Sequence, residues 1–264
     1  MKLHISARVA IHASAPADLL LQLEVASLPD QRVISATTSL PRNHHCNRVA
    51  SHDGLGERVW LHAEGDCTVE YRAMVAIERQ VPPLETLAAV PPHRLCGDVT
   101  QYLFDSRYCQ IDPMHGFVAE HFGTLQGGAK VQAMRDWIAE HFDYVPGASN
   151  AHTTALDSFV ERRGICRDYA HVLVTFARAA AIPARFVSCY SPQVDPPDFH
   201  AVAQVWLADP QGDGGAWQIV DATGMADPAQ TAIIGVGRDA ADVSFLTSYG
   251  PAWFERAEVK VVPG

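Results

Sequence analysis

The chain has no run of 18 apolar residues, no C-x-x-C or H-x-x-x-H pair, no basic excess and no internal repeat. Each absence removes a class of function. A transmembrane helix needs about 20 consecutive apolar residues and is not expected. With 30 acidic against 20 basic residues the net charge is -10, which disfavours binding to nucleic acid or to an anionic membrane surface. The paired spacings of common structural zinc sites are missing. Charged residues make up 19% and hydrophobic residues 48%, so the chain is not disordered. The first 26 residues alternate apolar positions with His, Ser and Arg and show no apolar h-region. A cytoplasmic, reducing location is therefore expected. The six cysteines (Cys46, Cys67, Cys96, Cys109, Cys166 and Cys189) are scattered. Most should be small core residues or inert surface thiols.

At 264 residues there is length for two domains. Residues 1–12 alternate through Leu3, Ile5, Val9 and Ile11. Asp18 to Ala26 is an apolar run after a proline-containing turn, and Cys67 to Ile77 mixes β-branched and aromatic residues with charge. Turn signals separate them, so residues 1–90 are expected to form an antiparallel β-sandwich. Pro82-Pro83 to Pro91-Pro92 reads as a linker. Residues 91–264 should form a second, α+β core. In it Val131, Met134, Trp137, Ile138 and Phe142 repeat at helical spacing, and Thr154 to Arg162 is a second short helix.

Residues 163–190, RGICRDYAHVLVTFARAAAIPARFVSCY, carry the first chemical signal. Gly164 breaks what precedes it. Ala170, Leu173, Val174, Ala177 and Ala181 make one helical face, with Cys166 on it in the first turn. Pro183 ends the helix, and Ala184 to Tyr190 is a strand. A thiol at a helix N-terminus meets free N–H groups and the positive dipole end, which favour a thiolate. Arg167 beside it would assist. On the local sequence alone, a buried structural cysteine is the favoured reading.

A nucleophilic thiolate needs a base, and the base an orienting group. In DFHAVAQVWLADPQGDGGAWQIVD (198–221), His200 opens an alternating strand and Asp221 closes its return partner. Counting outward from Gly212 sets His200 opposite Gly224. A small register shift brings imidazole and carboxylate together. Taken singly, His200 reads as a strand-end histidine and Asp221 as a turn residue.

The order Cys, His, Asp on a helix start, a strand start and a strand end resembles the transglutaminase-like cysteine enzyme superfamily. RRGICRDYAHVLVTFARAAAIPARFVSCY resembles its nucleophile motif, DFHA (198–201) its histidine motif and VDATG (220–224) its aspartate motif. GRDAADVSF (237–245) and DSRYC (105–109) resemble the bacterial branch, which carries a β-rich N-terminal domain before a papain/transglutaminase-like core. One departure is Val202, where the family commonly has tryptophan two residues after the histidine. The resemblance implies Cys166 as nucleophile, His200 as general base and Asp221 as its orienter. It implies no cofactor and no metal, and a peptide or protein substrate. It points to acyl transfer through a Cys166 thioester, resolved by water as in a cysteine protease or amidase. Resolution by an amine, as in a transglutaminase, and a non-catalytic binding role remain alternatives. No side-chain oxyanion donor is legible; the Cys166 backbone N–H is the candidate. Cys166, His200 and Asp221 could also ligate zinc, whereas His44-His45-Cys46 reads as a solvated loop. Tyr169 and His171 flank the nucleophile helix, Trp206 and Trp217 read as hairpin core, Arg185 as an ion-pair residue and Cys189 as buried and inert. Asp209 to Gly215 has too few carboxylates for calcium.

Overall fold

The computed structural model describes residues 1–40, 46–212 and 214–264. His44 and His45 lie outside the described residues; Cys46 is exposed on a strand. The chain opens with β1 (Lys2–Leu21), β2 (Gln31–Ser39), β3 (Cys46–Ala50) and β4 (Glu57–Ile77). A middle segment follows, with α1 (Gly97–Thr100), α2 (His115–Phe122), α3 (Gly127–His141), β5 (Asp143–Tyr144), α4 (Ala155–Glu161), β6 (Arg163–Gly164) and α5 (Cys166–Ala179). The last part holds β7 (Ala184–Tyr190), β8 (His200–Ala208), β9 (Gly215–Val220), β10 (Ala232–Gly237), α6 (Ala240–Val243), β11 (Leu246–Tyr249) and β12 (Ala252–Pro263).

Alternation builds the first sheet. Leu3, Ile5, Ala7, Val9, Ile11 and Ala13 are buried along one face of β1, and Ala17, Leu19 and Leu21 continue it. The expected turn around Pro16 is instead a register shift between Ala13 and Ala17, through which β1 keeps its pairing with β4. Apolar side chains from both arms join one core cluster. Where residues 1–90 are expected to form an antiparallel β-sandwich, the strands belong to one six-stranded sheet with a bulge, a usual device for bending long strands. Each large aliphatic side chain it buries contributes about 1.5–3 kcal/mol.

The division at residue 90 needs one correction. β11 and β12 leave the core and pair with β1, so residues 246–263 complete the first sheet. β12 is mostly exposed along its length, which leaves its apolar periodicity too weak to declare a partner.

The core sheet runs β10-β7-β8-β9, all antiparallel. Ala184, Ala203, Val205 and Leu207 on one face join the cluster of Val172, Leu173, Phe176 and Ala177 from α5. α2, α3 and α4 pack on α5 from its other sides. Every residue from Asp168 to Arg178 is consequently buried. The one-sided helix read from the sequence is an enclosed one, and its polar residues need internal partners. The guanidinium of Arg178 donates to the carbonyls of Ala184 (2.9 Å), Phe104 (3.0 Å) and Arg238 (2.6 Å). His171 Nε2 accepts from the Ala240 N–H at 3.2 Å, and Asp239 Oδ2 accepts from the Tyr108 N–H at 2.8 Å. The DSRYC and GRDAADVSF segments therefore clamp the nucleophile helix.

The two sheets are fixed to each other by buried polar groups. The Gln31 amide donates to the carbonyls of Ala26 and Ile233, both at 2.8 Å, and accepts from the Ile233 N–H at 2.7 Å. Tyr190 Oη donates to Leu23 O at 2.8 Å.

Candidate active site

Cys166 is the first residue of α5 and is half-buried. The buried Asp168 secures this helix start: its Oδ2 accepts from the Ile165 N–H at 2.9 Å. Arg167 pairs with Asp168 at 3.0 Å, so its charge serves the cap. Gly164 is required just before the nucleophile, because a Cβ there would meet the Asp168 Cβ at 2.6 Å. The helix start aims free N–H groups at whatever lies over the thiol.

His200 is the first residue of β8, and its side chain is fully buried. β9 pairs with Ala203 opposite Val220, which extends to Asp221 opposite Val202. This is one residue from the register counted on the sequence. The shift places His200 and Asp221 as diagonal neighbours on one face, within side-chain reach. His200 Nε2 meets Asp221 Oδ2 at 2.9 Å. Asp221 also accepts from the N–H and hydroxyl of Thr223 and from the Ala226 N–H, each at 2.8 Å. Burial works against its charge, yet His200 and these donors hold the Asp221 carboxyl below the usual carboxylate range. With Nε2 engaged, Nδ1 of His200 has no hydrogen-bond partner among the described residues. Burial disfavours the imidazolium, but Asp221 and the neighbouring Cys166 outweigh it and push His200 up to about 10.

Tyr144 is a third neighbour of the thiol, and sequence reasoning missed it. The two-residue strand β5 pairs in parallel with β6, setting Tyr144 level with Gly164, two residues before the nucleophile. Burial, and after it the Cys166 charge, raise the Tyr144 hydroxyl far above its ordinary range. A strand this short leaves no periodic signal.

The other residues fall into two groups. Tyr169 and His171 are buried, with the Tyr169 hydroxyl donating to Phe142 O at 2.9 Å. Burial, then the charges of Arg167 and Arg178, keep His171 neutral, well below its ordinary pKa. Cys189 is fully buried, and burial pushes its thiol well up. Arg185 forms the expected ion pair, with Asp53 at 3.1 Å. Trp206 and Trp217, expected in the hairpin core, are only half-buried and line a cavity instead. Their side of the sheet faces away from α5.

Cys166, His200 and Asp221 run in series. Among the described residues, the one group whose donor atoms converge within 4.8 Å is His12, Asp66 and Glu255 on the first sheet, two of them exposed. No helix among the described residues is long and apolar enough to cross a membrane.

Comparison with known proteins agrees with this architecture. A sequence profile of the transglutaminase-like superfamily matches residues 118–222. An uncharacterised protein of Mycobacterium leprae is 33% identical over 124 residues, which is 44% of this chain and 42% of that protein. The matched region is thus under half the length of that relative. The crystal structure of a "putative cysteine protease" from Cytophaga hutchinsonii superposes with a TM-score of 0.92 at 30% identity, covering 99% of this chain and 90% of that one. The chain belongs to the transglutaminase-like superfamily, with the family core at residues 118–222.

Proposed function

We propose that the protein is a thiol-dependent hydrolase, a cysteine protease or amidase that cleaves an amide or peptide bond through a Cys166 thioester. The observation that supports this best is the buried His200 imidazole. Asp221 anchors its Nε2, and its Nδ1 has no hydrogen-bond partner among the described residues and lies beside the thiol of a helix-start cysteine. His200 Nδ1 takes the thiol proton, and Asp221 fixes the tautomer that allows it. The thiolate attacks the carbonyl carbon, and the oxyanion meets the Cys166 N–H and the Tyr144 hydroxyl. The C–N bond breaks as His200 returns its proton to the leaving amine, leaving a thioester. Water, deprotonated by His200, then releases the acid and restores the thiol. The free state of all six cysteines suits a cytoplasmic, reducing setting.

A paired screen tests this reading. Peptide-library cleavage and incorporation of a fluorescent primary amine are measured with wild type and Cys166→Ala. Cleavage that needs Cys166 supports the hydrolase. Amine incorporation in place of cleavage replaces it with a transglutaminase, and neither activity together with an unreactive Cys166 leaves a binding protein.

A further inference from the structure

A cavity of about 950 Å³ opens between the core sheet and the loops that flank the first sheet, at the upper end of the range for small-ligand sites. Its floor is the face of the core sheet turned away from α5. It is distinct from the triad. His200 and Gln204 share one face of β8 but are four residues apart, about 13 Å along the strand. Between them Val202 is sealed in a buried cluster with Val187, Cys189 and Ile233.

The floor is pre-assembled. Arg185 Nε donates to Gln204 Oε1 at 2.9 Å and Nη1 to Asp53 Oδ2 at 3.1 Å. The guanidinium lies 4.1 Å from the Trp217 ring centroid. Trp206 stands edge-on to Trp217, with centroids 5.1 Å apart. Gln204 is 96% buried, since only 4% of it is accessible. Its amide oxygen is taken by Arg185, and its NH₂ has no partner among the described residues. The same holds for both indole N–H groups. Arg185 thus holds the Gln204 amide in one orientation, which leaves its NH₂ free to donate into the cavity.

These features select among ligands. Both guanidinium groups of the lining are already neutralised, Arg185 by Asp53 and Arg79 by Asp30, so the site is not built for an anion. Amide and indole donors on the floor call for acceptor oxygens, which a simple cation lacks. The Asp98 carboxylate on the wall is placed to accept from a hydroxyl, whereas Asp53 is already engaged by Arg185, Tyr102 and Gln101. Trp217 is covered by Arg185, so Trp206 is the indole that offers flat surface to the C–H face of a sugar ring. We infer that this cavity is a saccharide-binding site, separate from the thiol centre, that takes a short neutral oligosaccharide.

Isothermal titration of the full chain with chitotriose and cellotriose, followed in parallel by tryptophan fluorescence, tests this. Saturable binding of either sugar is expected, weakened about tenfold or more in Trp206→Ala through loss of the stacking surface. Because Gln204→Ala also frees Arg185, Trp206→Leu serves as a second variant that leaves the Arg185–Asp53–Gln204 contacts in place. Cys166 alkylation should be unchanged in both tryptophan variants. Absence of saturable binding, equal affinity in wild type and the tryptophan variants, or saturation by spermidine in place of the sugars overturns the inference.

Discussion

Replacing Asp221 by alanine exposes how strongly the candidate site is held. The side chain is 3% exposed and accepts from four donors: His200 Nε2, the Thr223 N–H and hydroxyl, and the Ala226 N–H. Alanine leaves the buried Ala226 N–H and the His200 ring without an acceptor. A stranded buried donor costs about 1–3 kcal/mol, and breaking a buried ion pair from one side about 3–5 kcal/mol. We expect a loss of about 4 kcal/mol. For a chain of this size that lowers the melting temperature by about 10 °C. Asp221→Asn separates support from chemistry. Its oxygen can still accept from Thr223 N–H, so it should recover roughly half of the lost stability. Its NH₂, turned to His200, forces the ring proton onto Nδ1, where it can no longer take the thiol proton. Differential scanning calorimetry and iodoacetamide labelling of Cys166 read the two effects apart. An alanine variant melting within about 1 °C of wild type, or an asparagine variant labelling as fast as wild type, refutes the reasoning.

Three further outcomes follow from the same contacts. Arg178→Met removes the donor shared by three carbonyls around α5 and should cost about 3 kcal/mol in urea unfolding; an unchanged midpoint contradicts the clamp. His171 is held neutral in the fold, below its ordinary pKa of 6.5, so the unfolded chain binds its proton first. Its contribution is therefore present above pH 6.5 and lost as pH falls below it, and His171→Gln should flatten the acid limb of stability measured by urea titration between about pH 7 and 5. Tyr144→Phe removes the hydroxyl beside Cys166 and should lower kcat by about 10²-fold with KM little changed; an equal rate removes Tyr144 from the oxyanion site.

Much of this was legible in the sequence because strong local rules agree. Cys166 was placed at a helix start by Gly164 before it and the apolar repeat after it, and β7 by Pro183. The His200–Asp221 pairing was visible as a hairpin, but its register was counted one residue long. Loop geometry around Gly212, which the sequence does not specify, sets that register. Tyr144 was hidden because its strand has two residues. The enclosed state of α5 is hidden because, Ala184 apart, the partners of Arg178 and His171 lie on segments 60 or more residues away in sequence. The alternation of the hairpin places Trp206 and Trp217 in its core, since half-burial against loops of the first sheet has no periodic signature. The return of β12 to β1 is a long-range pairing of the two chain ends, settled by packing rather than by local propensity.

The central claim is that Cys166 and His200 form a working thiol–imidazole pair. Its most direct test is the rate of iodoacetamide alkylation against pH, with all six cysteines mapped by peptide mass, in wild type and His200→Ala. The account predicts that Cys166 labels faster than the other five thiols at neutral pH and that His200→Ala abolishes this advantage. Labelling of Cys166 no faster than the other five, or an advantage that survives the loss of His200, contradicts it.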